Sequence, residues 1–122
     1  MRGNGSPPNK EREIKMAMIL AQKVELKIVT SFDIKVNRWT DSHGNTYHSC
    51  YVSALIGDRW EDLGHETFTY GYGTQGEYTG LEIIKETVIG FNPKEKVIHR
   101  IEKEINKEIT VRYNDVKRKK DM

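Results

Sequence analysis

Between positions 28 and 56 the sequence leaves little room for anything but a β-hairpin. Ile28, Thr30, Phe32, Ile34 and Val36 alternate with Val29, Ser31, Asp33 and Lys35, the period-two pattern of a half-buried strand. A polar run follows, Asp41-Ser42-His43-Gly44-Asn45, with a glycine to supply positive φ. Thr46 to Ile56 is again rich in strand formers. The pattern predicts antiparallel strands over 27–38 and 46–56. Gly57-Asp58 breaks the second strand, Trp60 to Leu63 is ambiguous, and Glu66 to Tyr70 reads as a third strand.

Helical spacing brackets this region. Ile14, Ala17, Met18, Ala21 and Val24 predict an amphipathic helix over roughly 10–23, capped by Asn9. From Gln75 the period is helical again, with Tyr78, Leu81, Ile84, Lys85 and Val88 on one face and Gly90 as the terminator. Asn92-Pro93 reads as cap and first turn of a further helix, whose stripe is Val97, Ile98, Ile101 and Ile105. Ile109, Val111 and Tyr113 then alternate as a short strand or extended tail. The expected fold is α+β: a three-stranded antiparallel meander packed by an N-terminal helix and a C-terminal helix pair. Residues 1–9, with two glycines and Pro7-Pro8, read as a flexible leader, 10–116 as a single domain and 117–122 as a basic tail.

Composition narrows the functional classes. Leu, Ile, Val and Phe number 28 of 122 residues, enough for one modest core. No apolar run reaches the ~18 residues of a membrane span, no secretory leader is evident, and the lone Cys50 forms no internal disulfide. A cytoplasmic protein that meets no membrane is therefore expected. Charge is segmented: residues 1–40 carry +4, residues 41–90 carry −6, and residues 91–122 carry +4. Nucleic-acid binding draws most of its affinity from clustered cations, so only the basic ends are candidates for it, above all Lys117, Arg118, Lys119 and Lys120.

Three motifs invite chemistry. Gly71-Tyr72-Gly73-Thr74-Gln75-Gly76 matches G-x-G-x-x-G between a strand and a helix. Its acidic surroundings and antiparallel neighbours favour a tight turn over a phosphate cradle. His43, His48, Cys50 and His65 include metal-binding residue types, yet their spacing matches no paired ligand motif, so neither metal nor cofactor is expected. Cys50 with His48 would make a nucleophile–base pair if they met within hydrogen-bond reach, which leaves a small enzyme as the third functional reading.

Aromatic residues carry the remaining signal. Trp39, Tyr47, Tyr51, Trp60, Tyr70, Tyr72 and Tyr78 gather seven Trp and Tyr rings within 40 residues. Rings two apart on a strand share a face, so Trp39, Tyr47, Trp60, Tyr70 and Tyr72 are the candidate interaction surface. Tyr and Trp make both interface hot spots and base-stacking platforms, and acidic neighbours favour protein contact or self-association, as a homodimer or with another protein. The alternative is that the rings fill a core poor in Leu and Phe.

Two resemblances follow from these residues. Gly44-Asn45-Thr46-Tyr47-His48-Ser49, followed by Phe68-Thr69-Tyr70-Gly71-Tyr72-Gly73-Thr74-Gln75 and Thr79-Gly80-Leu81, resembles a pattern in small uncharacterised phage and prokaryotic proteins. That resemblance implies an accessory protein of a mobile element. The helix–strand–strand–strand–helix order resembles the double-stranded-RNA-binding domain, which implies nucleic-acid binding. That domain grips phosphates with lysines at the start of its last helix, where this chain instead carries Thr74, Gln75, Gly76, Glu77 and Tyr78. The hairpin is the most direct point to test: Ile34→Asp is expected to abolish the cooperative thermal transition, and a transition near the parent's would refute the strand assignment.

Overall fold

A computed structural model describes residues 24–71 and 73–122. The elements run β1 (Val24–Glu25), β2 (Val29–Thr40), β3 (Thr46–Ile56), β4 (Arg59–Tyr70), α1 (Gln75–Thr87), β5 (Val88–Ile89), α2 (Ile98–Ile105) and β6 (Glu108–Asp115). The expected helix over 10–23 and the leader lie outside the described residues. The hairpin forms with Thr40 opposite Thr46, and Asp41 organises its turn by accepting the Asn45 and His43 amides. Those amide bonds, Asn45 first, hold the Asp41 carboxyl below its ordinary pKa.

The meander is not the whole sheet. β6 pairs with the free edge of β2, in parallel, and gives a four-stranded mixed sheet in the order β4-β3-β2-β6. The expected three-stranded antiparallel sheet is corrected accordingly. α1, β5 and α2 carry the chain back across one face, so that β6 runs in the direction of β2. β4 spans twelve residues and absorbs the ambiguous 60–63 stretch.

Both helices contribute to the core on the same side of the sheet. Phe32, Ile34 and Val36 from β2 meet Cys50, Val52 and Ala54 from β3, with Ile83 and Ile84 of α1, Ile101 of α2 and Ile109 of β6. Phe91 closes one end with its ring edge-on to Phe32, centroids 5.8 Å apart. The alternation predicted through Ile28 and Thr30 breaks at a bulge between Val29 and Ser31. An extra residue there reverses the phase and buries Val29, while Ile28 ends the 3-10 turn Leu26–Ile28 ahead of the strand and is exposed.

Two expected helix boundaries shift for identifiable reasons. α1 ends at Thr87, and Val88-Ile89 leaves it to pair with Val24-Glu25, so Gly90 turns the chain only after that short strand. The Asn92-Pro93 start does not form. Glu104 accepts the backbone amides of Lys94 and Glu95, satisfying them in a loop, and those bonds hold its carboxyl below the ordinary range. α2 therefore begins at Ile98, and Val97 is left 48% exposed outside the apolar stripe.

Two glycines set how closely α1 approaches the sheet. A Cβ on Gly76 would lie 2.5 Å from Val36 Cγ1, and one on Gly80 would lie 2.6 Å from Ile34 Cγ2. Gly76→Ala is expected to cost about 1–2 kcal/mol, since overpacking outweighs the helix-propensity gain. Combining it with Val36→Ala should recover part of that loss, with a coupling above about 0.5 kcal/mol in urea unfolding. Simple additivity of the two substitutions would contradict the close approach.

Candidate functional site

The sheet face opposite the helices carries the aromatic residues. Trp39 on β2 and Tyr47 on β3 are register partners and stack at 5.9 Å between ring centroids. Tyr47 stacks nearly parallel on Phe68 of β4 at 4.6 Å and meets Tyr70 edge-on at 5.5 Å. Such ring pairs contribute about 0.5–1.5 kcal/mol each beyond their burial. Further along the same face Tyr51 stacks on His65 at 5.7 Å, with the Lys35 ammonium 5.9 Å from the tyrosine ring.

Phe68 is placed there by a backbone irregularity. Between the pairs His48↔Thr69 and Cys50↔Glu66, two β4 residues oppose the single residue Ser49. In this bulge the Phe68 amide donates to the buried Ser49 Oγ at 3.2 Å. Phe68 itself sits at φ 54°, a left-handed conformation that costs a bulky residue about 1–3 kcal/mol. The bulge re-aims the ring onto Tyr47 and leaves it 43% exposed.

The segment after β6 crosses this same face. The Val116 amide donates to the Arg38 carbonyl at 2.7 Å, Lys119 Nζ lies 4.2 Å over the Phe68 ring, and Tyr51 Oη donates to the Met122 carbonyl at 2.9 Å. Arg118 pairs with Asp121 at 3.0 Å, while Lys117 and Lys120 are exposed. Along β4 the carboxylate of Asp62, opposite Ser53, is exposed on this face, while those of Glu61 and Glu66, opposite Ala54 and Cys50, are exposed on the helix side.

The sequence candidates therefore divide. Trp39, Tyr47 and Tyr70 converge in one patch. Trp60 shares the face but pairs with Leu55, eight residues along β3 from Tyr47 and so about 26 Å away. It lines a cleft with Asp33, Ser53 and Arg112, where the bidentate Asp33 pair raises the arginine's pKa. Tyr72 lies outside the described residues. Tyr78 is exposed on α1, away from the patch. Phe68, the centre of the stack, was absent from the sequence-derived set, although its place between Trp60 and Tyr70 in the aromatic run was a usable signal.

The histidines and Cys50 do not assemble. His48 is buried; its Nε2 lies 2.9 Å from Thr79 Oγ1 and its Nδ1 lies 3.4 Å from the Gly71 carbonyl, so the ring bridges α1 and the glycine turn. Cys50 points at α1 and donates to the Gly76 carbonyl at 3.6 Å. His65 lies on the opposite face against Tyr51, and His43 sits exposed in the hairpin turn. Among the described residues no group of three or more His, Cys, Asp or Glu is placed to hold a metal ion. The glycine loop has a backbone explanation: a Cβ on Gly71, at φ 153°, would lie 2.5 Å from Gln75 Cγ, and Gly73 turns the chain at φ 63°.

Burial, with a smaller push from the Glu66 carboxylate, drives the Cys50 thiol up to about 12. It remains protonated at neutral pH and is no thiolate nucleophile. At pH 8 the native chain is expected to release thionitrobenzoate about a thousandfold more slowly than the denatured chain. Comparable rates would restore Cys50 as a reactive group. Among the described residues no helix is long and apolar enough to cross a membrane. Comparison with family models, with curated proteins and with solved structures finds no match to this chain.

Proposed function

We propose that the chain is a binding module that works by protein contact through the open face of its sheet, with another protein or a second copy as partner. The observation that carries this reading is the stack of Trp39, Tyr47, Phe68 and Tyr70 on the face opposite α1 and α2, held by a strained bulge. Large rings with few rotatable bonds lose little entropy on contact, which is why they anchor interfaces. A bulky residue kept at a costly φ with its ring on the surface is most simply understood as serving that surface.

One observation favours a second reading, nucleic-acid binding through Lys117, Arg118, Lys119 and Lys120. Lys119 stands beside the aromatic patch, and stacked rings next to cations are the elements of a single-strand platform.

A photo-crosslinking residue at Tyr70, 59% exposed, is compared with the same residue at Tyr78, 49% exposed on the helix side. Discrete protein adducts are expected from position 70 in extracts of the source cell, and not from position 78. Equal adducts from both positions would refute the open-face reading. Nuclease-sensitive adducts from position 70 would transfer the function to nucleic acid.

A further inference from the structure

The aromatic patch is already occupied by an ammonium. Tyr47 covers one side of the Phe68 ring in near-parallel stacking, and Lys119 Nζ caps the other at 4.2 Å. The segment that delivers this lysine is otherwise held by its main chain. Its first residue donates an amide to Arg38, and its last offers a carbonyl to Tyr51. Of these three anchors, only the Lys119–Phe68 contact depends on side-chain identity. The binding face thus shows what chemistry it accepts: a lysine ammonium set on the Phe68 ring, delivered by a segment that closes a short 3-10 turn at Lys119–Asp121.

We infer that the patch is a receptor for a lysine-bearing segment of a partner protein, and that residues 116–122 are its resident competitor. This inference rests on the open-face reading above and names the chemistry of the partner. A separate protein is favoured over a second copy by mass action. A segment tethered this closely competes at an effective concentration in roughly the millimolar range, so an identical segment on another copy gains nothing by displacing it. A nucleobase is disfavoured because it would have to evict the ammonium from Phe68.

The test uses the full chain and a fluorescein-labelled peptide of residues 114–122, read by anisotropy. Lys119→Gln removes the resident ammonium while the peptide still carries its own. That variant is expected to bind the peptide roughly 3- to 30-fold more tightly than the parent chain. Lys117→Gln, the same charge change on a lysine that caps no described ring, should leave the affinity near the parent's. Adding Phe68→Leu to Lys119→Gln, with folding checked by thermal unfolding, should return binding to the parent level or below.

Equal affinity of the parent and Lys119→Gln would overturn the inference. So would an oligothymidylate that binds the parent and is weakened by Lys119→Gln, since a phosphate grip loses where a competitor gains. Concentration-dependent dimerisation of the parent that Lys119→Gln abolishes would also overturn it, making the segment an exchange arm. If the peptide fails to bind while position 70 still crosslinks to protein, the lysine chemistry alone falls. If both fail, the open-face reading falls with it.

Discussion

The seating of α1 on β2 is the constraint on which the other parts of the structure depend. With hydrogen atoms in place of side chains at Gly76 and Gly80, the helix backbone lies directly against Val36 and Ile34. That closeness puts the Gly76 carbonyl within reach of the Cys50 thiol and Thr79 within reach of His48. The two residues that looked most like chemistry are thereby converted into struts between sheet and helix. Because α1 and α2 seal one side so closely, a small apolar inventory suffices for the core, and the aromatic residues are free to occupy the other side.

Much of this was legible in the sequence where local rules operate. The hairpin follows its alternation and its Asp41 turn, with the first strand displaced by two residues. What escaped is non-local or irregular. The alternation of Ile109, Val111 and Tyr113 signals a strand but not its partner, which lies 77 residues earlier. Bulges at Thr30 and at Thr67–Phe68 shift the side-chain phase without any composition cue. A favourable Asn-Pro start lost to Glu104, a carboxylate ten positions beyond Lys94 that accepts the Lys94 and Glu95 amides. In each case a tertiary partner overrode a local preference.

The sequence treated the aromatic residues and the basic end as rival clues to function. In the folded chain they are one surface, joined at Phe68 and Lys119. Their separation by about fifty residues hid this, since no local pattern links a β4 bulge to a segment beyond β6. Charge segmentation acquires a physical sense in the same way. The acidic middle sets Glu61 and Glu66 on the helix side of β4, and the basic end crosses the opposite face of the sheet.

The parallel pairing of β6 with β2 has a consequence for the order in which the molecule assembles. Closing the β2–β3 hairpin joins residues six apart, whereas β6 must return across a separation of 77. The difference in loop entropy is about 2 kcal/mol against β6. The meander and α1 can therefore organise first, and β6 docks onto a sheet already formed. Until it does, β2 has an open hydrogen-bonding edge beside the unsealed flank of Phe32 and Ile34. That transient edge is the stage at which the folding chain is most open to pairing with the wrong strand.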